Sequence, residues 1–426
     1  MPDAKDIQVG GGGGSNATLD FAKFPHRGER GKLRVTLENI RYLLDHSNLS
    51  VGFDVIKKKV VALRNGASVS HLAIVSLASQ HGMQSQYLDA FIDQIAMERP
   101  LNPVKEWIES RPWDGIDRLD ELFQTITLAE DYPVALGRAL LYRWLLSATA
   151  AAILEGRRFS SRGVLTLQGP QGIGKTTWIC RLVSDQKLAE DVIKRDHHMD
   201  GASRDSVKLA ISHWIVEIGE LDGALKRDIA RLKGVITADC DKMRLPYGRS
   251  EVEYDRRTVF AATVNDSAFL VDPTGNSRFW TLAVESLNFH HTIDMQQVFA
   301  QTSLDVKRGE PWWLTQAEDQ ALAAYNLKHR AVSAIAERIK DFLNIEASGG
   351  SVGTYMTATE LLTAMGTTNP SNPQAKEAGA TLRELFGPPK RVNGKDKWKL
   401  VRLTDGQPLK AMQPMGTAVI DPEHEF

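Results

Sequence analysis

The stretch Val164-Leu165-Thr166-Leu167-Gln168-Gly169-Pro170-Gln171-Gly172-Ile173-Gly174-Lys175-Thr176-Thr177 decides how the rest of the chain is read. An apolar run of strand character ends in a glycine-punctuated turn, and a helix-compatible run follows. Gly169 to Thr176 fits the pattern G-x4-G-K-[ST] in full. Glycines let successive backbone N–H groups curl around phosphate oxygens, and a helix start adds positive potential there. The pattern predicts a nucleoside triphosphate held by Gly169, Pro170, Gln171, Gly172, Ile173, Gly174, Lys175, Thr176 and Thr177. Lys175 is expected to reach the β- and γ-phosphates, and Thr176 to offer its hydroxyl to a magnesium ion.

Such a cradle needs acids at the end of a neighbouring strand. Trp214-Ile215-Val216-Glu217-Ile218-Gly219-Glu220 supplies two. Glu217 ends an apolar run and is expected, with Thr176, at the metal; Glu220 follows in the turn. Either acid can order the metal shell or act as base. A third apolar run, Val259 to Val264, ends in Asn265, whose amide suits orientation of the attacking water. Arg278, delivered by the turn Asp272-Pro273-Thr274-Gly275 to the start of another strand, suits stabilisation of charge on a phosphoryl group in a neighbouring subunit's site.

Apolar runs at 163–167, 213–218, 258–264 and 279–284 alternate with helical patterns at 174–183 and 224–237. That order predicts a mainly parallel sheet with helices on both faces. Residues 1–17, with five consecutive glycines, read as a flexible linker, and 18–98 as a mostly helical domain. Residues 99–330 read as the nucleotide-binding domain, with a helical lead-in over 99–160 and a helical tail over 286–330. In 331–426, helices at 358–364 and 375–386 precede a hairpin turning at Asn393-Gly394, a winged-helix-like order. Six basic residues against one acid between Gly387 and Arg402 suit either a wing on DNA or a solvated edge strand.

The whole chain bounds these readings. Its 426 residues suggest two to four domains at roughly 100–200 residues each. With 42% apolar residues, 25% charged and a net charge of −1, collagen-like, coiled-coil and wholly disordered classes are excluded. Any basic surface must be local. Two cysteines make neither a disulfide framework nor a four-cysteine zinc site. Ala139–Leu154 is apolar but interrupted by Arg143, so it reads as a buried helix. The start MPDAKDIQV lacks a secretory pattern, so a soluble chain with no membrane partner is expected, in the cytoplasm. His197-His198 read as surface histidines rather than metal ligands.

Together, NPVKEWIESRPWDGIDRLDEL (102–122), GPQGIGKTT (169–177), WIVEIGELDG (214–223), RLPYGR (244–249), VFAATVN (259–265) and DPTGNSRFW (272–280) resemble the virulence-associated E family. Its members are phage- and mobile-island-encoded P-loop proteins similar to superfamily 3 helicases of the AAA+ class. The resemblance runs from about Asn39 to Arg330. It implies an AAA+ core in a bacterial host cell, ATP and magnesium as cofactors, and a hexameric ring with nucleotide between subunits. It also implies DNA helicase or translocase activity in replicating a mobile element, with a separate primase as a partner. An ATP-switched DNA- or origin-binding module without unwinding is the alternative. Superfamily 3 hairpins before this strand grip single-stranded DNA in the central channel, which makes Arg249 a phosphate contact, Tyr247 a stacking ring, and Lys242 and Arg244 their helpers. For Arg249, action on a neighbour's nucleotide or a plain surface loop are competing readings. Here the two acids stand three apart, and Ser277 leaves Arg278 as the single arginine before Phe279-Trp280.

Overall fold

In a computed structural model, the apolar runs around the Gly169 turn line up as one sheet. The structure describes residues 21–28, 33–84, 86–219, 221, 231–243, 252–266, 269–270, 276–329, 334–348 and 353–403. It is a mixed α/β fold in two compact units, residues 1–330 and 331–426.

The first unit opens with helix Leu37–His46, strands β1 (Leu49–Asp54), β2 (Lys59–Arg64) and β3 (Ala67–Val69), helices His71–Gln80 and Leu88–Met97, and strand β4 (Pro100–Leu101). These strands form a sheet in the order β3-β2-β1-β4. A mostly helical reading of 18–98 is therefore corrected. Burial along β1 and β2 follows no clean alternation. Two turns shape the sheet. Asp54 Oδ1 accepts the amides of Ile56 at 2.9 Å and Lys57 at 2.8 Å. Asn65 and Gly66 take φ of 51° and 82°, in the left-handed region, as a tight hairpin requires.

The main sheet contains β5 (Ile126–Leu128), β6 (Val164–Gln168), β7 (Ile193–Lys194), β8 (Ile215–Ile218), β11 (Val259–Val264) and β12 (Phe279–Leu287). Between β8 and β11 the chain makes a separate antiparallel pair, β9 (Cys240–Met243) and β10 (Val252–Asp255). The main order is β5-β12-β6-β11-β8-β7, parallel throughout except for β5 at one edge. Alternate residues face opposite ways. Leu165, Leu167, Ile215, Val259, Ala261 and Leu282 join the core against helices Val134–Ile153 and Met295–Lys307. Val164, Val216, Ile218, Phe260, Ala262 and Phe279 join the core on the other face, with Ala210, Leu232 and Ile236. Burial on both faces explains why these strands read as continuous apolar runs.

Helix Val134–Ile153 is the main buttress. Indole N–H groups tie it to the sheet: Trp144 donates to Phe260 O and Trp214 to Ala148 O, each at 2.8 Å. Its interrupting Arg143 is buried and paired with Glu310 at 2.6 Å and Glu318 at 3.2 Å. Arg257 donates to the carbonyls of Ala151, Ala152 and Leu154, meeting acceptors that a helix end leaves unpaired. No helix among the described residues is long and apolar enough to cross a membrane.

A buried ionic cluster joins the N-terminal sheet to the β9–β10 pair. Lys58, after β1, meets Asp241 of β9 at 3.2 Å, and Arg256 meets the same carboxylate at 2.7 Å. All three are 2% exposed or less. Beside them the rings of Phe53 and Tyr254 stack 5.4 Å apart.

The second unit runs through helix Ala334–Phe342, strand β13 (Thr354–Met356), helices Ala358–Ala364 and Asn372–Phe386, then β14 (Lys390–Val392) and β15 (Lys395–Leu400). Its antiparallel sheet has the order β13-β15-β14. Asn393 and Gly394 make the predicted tight turn at φ 51° and 75°.

The ionic cluster sets a stability expectation. Asp241→Ala leaves two buried cations without their counter-charge, and should cost about 3–5 kcal/mol in urea unfolding. Lys242→Ala, at the exposed ion pair next door, should change stability by less than about 1 kcal/mol.

Candidate functional site

The C-terminal edge of the parallel sheet is where the chemistry-bearing residues meet. The loop from Gly169 to Gly174 leaves β6 and enters the short helix Lys175–Cys180. Gly172 and Gly174 have φ of 86° and 83°, a region that side chains disfavour. A Cβ on Gly169 would lie 2.1 Å from Val284 O, and one on Gly174 would lie 2.3 Å from the Phe289 ring. The loop therefore needs glycine for its curl and also for its seating against the β12 side. Pro170, Gln171, Gly172 and Thr177 are exposed; Ile173, Gly174 and Thr176 are half-buried.

Lys175 is buried, and its Nζ donates to Gly169 O at 2.7 Å, Pro170 O at 2.7 Å and Asn265 Oδ1 at 2.9 Å. All three ammonium donors are thus used within the loop and the end of β11. Burial lowers the pKa of this amine. An anion entering the loop would offer the ammonium charged acceptors in place of two carbonyls, a stronger class of hydrogen bond.

Glu217 is fully buried on β8. Its Oε1 accepts from Thr176 Oγ1 at 3.2 Å and Thr263 Oγ1 at 2.8 Å, and its Oε2 from the Asp196 amide at 2.7 Å. The carboxylate is therefore oriented from three sides by β11, the loop helix and the end of β7. Thr176 and Glu217 together present hydroxyl and carboxylate oxygens, the donors a hard cation takes. Among the described residues no cluster of three or more His, Cys, Asp or Glu forms a metal cage. The pair instead fits magnesium, which keeps several waters and uses substrate phosphates as ligands.

Thr263 and Asp196 are the site residues that motif reading passed over. Asp196 has φ 47° and lines, with Thr176, Lys194, Arg195 and His213, a cleft of about 590 Å³. A Cβ on Gly219 would lie 2.1 Å from Asp196 Oδ1, so the glycine after the acid strand makes room for this carboxyl group. Its place at the end of an apolar run exposed Glu217 to reading, but nothing in the sequence pairs 196 with 217.

His197 is not at the surface. It is 4% exposed, its amide donates to Glu217 O at 2.9 Å, and its ring lies 3.2 Å from Ser206 Oγ. Burial lowers its pKa, which favours the neutral ring.

Arg278 is not brought to this edge. It lies in a 3-10 turn before β12, and Phe279 is in register with Val164 at the start of β6. The loop and Arg278 are separated by the length of β6, about 16 Å at 3.3 Å per residue. Lys242 lies on β9, exposed, with Glu253 at 2.9 Å. Arg256 and Arg257 both turn inward, to Asp241 and to the helix end. Glu220, Arg244, Tyr247 and Arg249 lie outside the described residues.

A largely parallel sheet with a glycine loop, a buried lysine and an acid-bearing strand at one end defines the class: a mixed α/β protein. The chain belongs to the virulence-associated protein E-like family, whose domain model matches residues 108–331, just over half of its length. Among solved structures, an A form apo structure of the NrS-1 C-terminal region aligns with a TM-score of 0.42 and 14% identity, over 85% of this chain and 98% of that one. A second apo structure of that region gives 0.38 and 13%, and a further A form structure 0.36 and 16%, with the same coverage. No curated protein matches the sequence.

The seating of the loop can be tested without a ligand. Gly174→Ala should destabilise the fold by about 1–3 kcal/mol through its positive φ and the Phe289 contact. Phe289→Ala in the same chain should relieve the contact, giving a coupling of at least about 0.5 kcal/mol in a thermal-unfolding double-mutant cycle.

Proposed function

We propose that this chain is a magnesium-dependent ATPase with an AAA+ type P-loop core, acting as a superfamily 3-like DNA helicase or translocase in replication of a phage or mobile element. The observation that carries the reading is the convergence of Lys175, Asn265 and the Thr176–Glu217 pair at the loop edge of the sheet. Family membership supports the replication setting.

Residues 169–177 surround the triphosphate in this reading. Lys175 exchanges the carbonyls of Gly169 and Pro170 for phosphate oxygens. Asn265, already within hydrogen-bond reach of Lys175, orients the attacking water beside the γ-phosphate. Thr176 and Glu217 hold a magnesium ion, which when bound offsets charge on the β- and γ-oxygens. Glu217 stays in place because Thr263 and the Asp196 amide hold it. The transition state is highly charged, so most of the acceleration comes from pre-set dipoles and charges. Arg278, on the far edge, serves the site of a neighbouring copy, which makes the working form an oligomer, a hexameric ring in superfamily 3 style.

The β9–β10 pair supports the hairpin reading, since its two arms flank 244–251, where Arg244, Tyr247 and Arg249 are proposed to meet single-stranded DNA. Lys242, on the first arm, would exchange Glu253 for a phosphate. The second unit is proposed as a winged helix, on the order helix, strand, helix, helix, strand, strand. Within it Lys397 pairs with Glu360 at 3.2 Å, and Lys399 and Arg402 lie over the rings of Tyr355 and Phe342. Lys390, Arg391 and Lys395, around the exposed turn, are left as the cations of a wing.

Lys175→Ala should lower ATP turnover by at least about 10²-fold, measured by phosphate release. Glu217→Gln should retain ATP binding while losing turnover to a similar extent. Wild-type turnover by Lys175→Ala would remove the loop from the reaction. Strand displacement that requires ATP separates a motor from an ATP-switched DNA-binding module, which would assemble on nucleotide without displacing a strand.

A further inference from the structure

Strand order sets which way a nucleotide lies in the loop under the reading above. In the order β12-β6-β11-β8, Asn265 follows β11 and Glu217 stands on β8, both on the same side of β6. Lys175 and Thr176 turn to that side, through Asn265 Oδ1 at 2.9 Å and Glu217 Oε1 at 3.2 Å. The β- and γ-phosphates belong there, since the loop lysine and the metal ligands meet those two groups. The nucleoside end then leaves over the other side, where β12 runs on from its last pairing with β6, Ala283 with Gln168, to Leu287. Two aromatic residues follow at that place. A Cβ on Gly174 would lie 2.3 Å from the Phe289 ring, and the His290 ring is 4.4 Å from Phe289, tilted by 45°. Phe289 is half-buried; His290 is exposed, as is Thr177 on the loop helix.

We infer that Phe289 and His290 are the platform on which the base of a purine nucleoside triphosphate stacks when the Gly169 loop holds its phosphates. The inference rests on the nucleotide reading and deepens it by giving the base a place. Three observations carry it. The rings lie on the side of the loop away from the lysine and metal contacts. One of them already touches the first turn of the loop helix, at Gly174. The segment is also held in position without a ligand. The Asn288 amide donates to Thr125 O at 2.8 Å, and Asn288 Oδ1 accepts the His290 amide at 3.2 Å. The Trp178 indole of the loop helix donates to Thr125 Oγ1 at 2.8 Å, so Thr125 ties the helix to the segment that bears the rings. A platform set in advance loses little freedom when a base settles on it. Every base has a π-face, so stacking accepts the class rather than one member. A two-ring purine covers more of the aromatic pair than a pyrimidine does, which makes purines the favoured substrates.

Titration calorimetry of the full chain in magnesium, with ATP, UTP and inorganic tripolyphosphate as ligands, tests this. Tripolyphosphate carries the phosphate chain without a nucleoside, so it reads the loop alone. His290→Ala and Phe289→Leu should each weaken ATP binding by about 5- to 100-fold while tripolyphosphate binding changes little. UTP should bind the wild type more weakly than ATP, and the gap should narrow in both variants. His290→Phe should keep the affinity for ATP. His290 is exposed and makes no contact with Gly174, so its variants carry the test if Phe289→Leu does not fold. Unchanged ATP affinity in a folded variant overturns the proposal. So does an equal loss of ATP and tripolyphosphate, which would make the rings supports of the loop and nothing more. A wild-type chain that binds neither ligand, or a Lys175→Ala chain that binds both as the wild type does, overturns the nucleotide reading itself.

Discussion

A carboxylate shut away from water must find its donors within the protein, and Glu217 finds them on three different elements. Thr176 comes from the loop helix, Thr263 from β11 and the Asp196 amide from the end of β7. An unpaired buried charge costs several kcal/mol, so these three bonds hold the elements to a common geometry. The strand order makes them possible. With β11 between β6 and β8, the Thr263 hydroxyl lies directly beside the acid strand, and Asn265 lies beside the loop. Moving any one strand by a residue would turn its polar group to the opposite face.

The same rule operates at the borders of the main sheet. Arg143, Arg257 and the Lys58–Asp241–Arg256 cluster are all buried charged groups, each set where two elements meet. Such pairs add little net stability over apolar packing, but a wrong arrangement leaves a charge unpaired. They therefore select geometry more than they strengthen it. The cluster at Asp241 does this for the β9 arm, fixing the base of the hairpin on the N-terminal sheet while its exposed face, with Lys242 and Glu253, stays in water.

What could be read from the residues follows from range. The loop, the helix after it and the strands flanking Glu217, Asn265 and Arg278 were legible because each is signalled within about ten neighbouring residues. Strands buried on both faces leave a continuous apolar run, so the parallel sheet was legible too. The N-terminal sheet was not: β1 and β2 show neither a continuous apolar run nor a clean alternation of buried and exposed residues, although Asn65-Gly66 is a hairpin signal of the same kind as Asn393-Gly394. Thr263 and Asp196 were invisible for another reason. Their role exists only once β7, β8 and β11 are side by side, and no local pattern marks a threonine or an amide for that task. His197 looked solvent-exposed beside His198 because burial there is imposed by helix Arg204–Ile211, which brings Ser206 to the ring.

A parallel sheet has two unlike edges, and under the proposed function that asymmetry bears on how the loop site is completed. The strands deliver the loop, the amide and the acid to their C-terminal ends, and Arg278 to the N-terminal end of β12. No hinge within a strand can bring the two sets together, since the hydrogen-bonded ladder fixes their spacing. Completion by a second copy needs only that the face bearing Arg278 pack against the face bearing the loop. That contact is head-to-tail, and a head-to-tail contact repeated by rotation closes into a ring. Under the proposed function, turnover would then depend on assembly, with Arg278 supplied by a neighbouring copy.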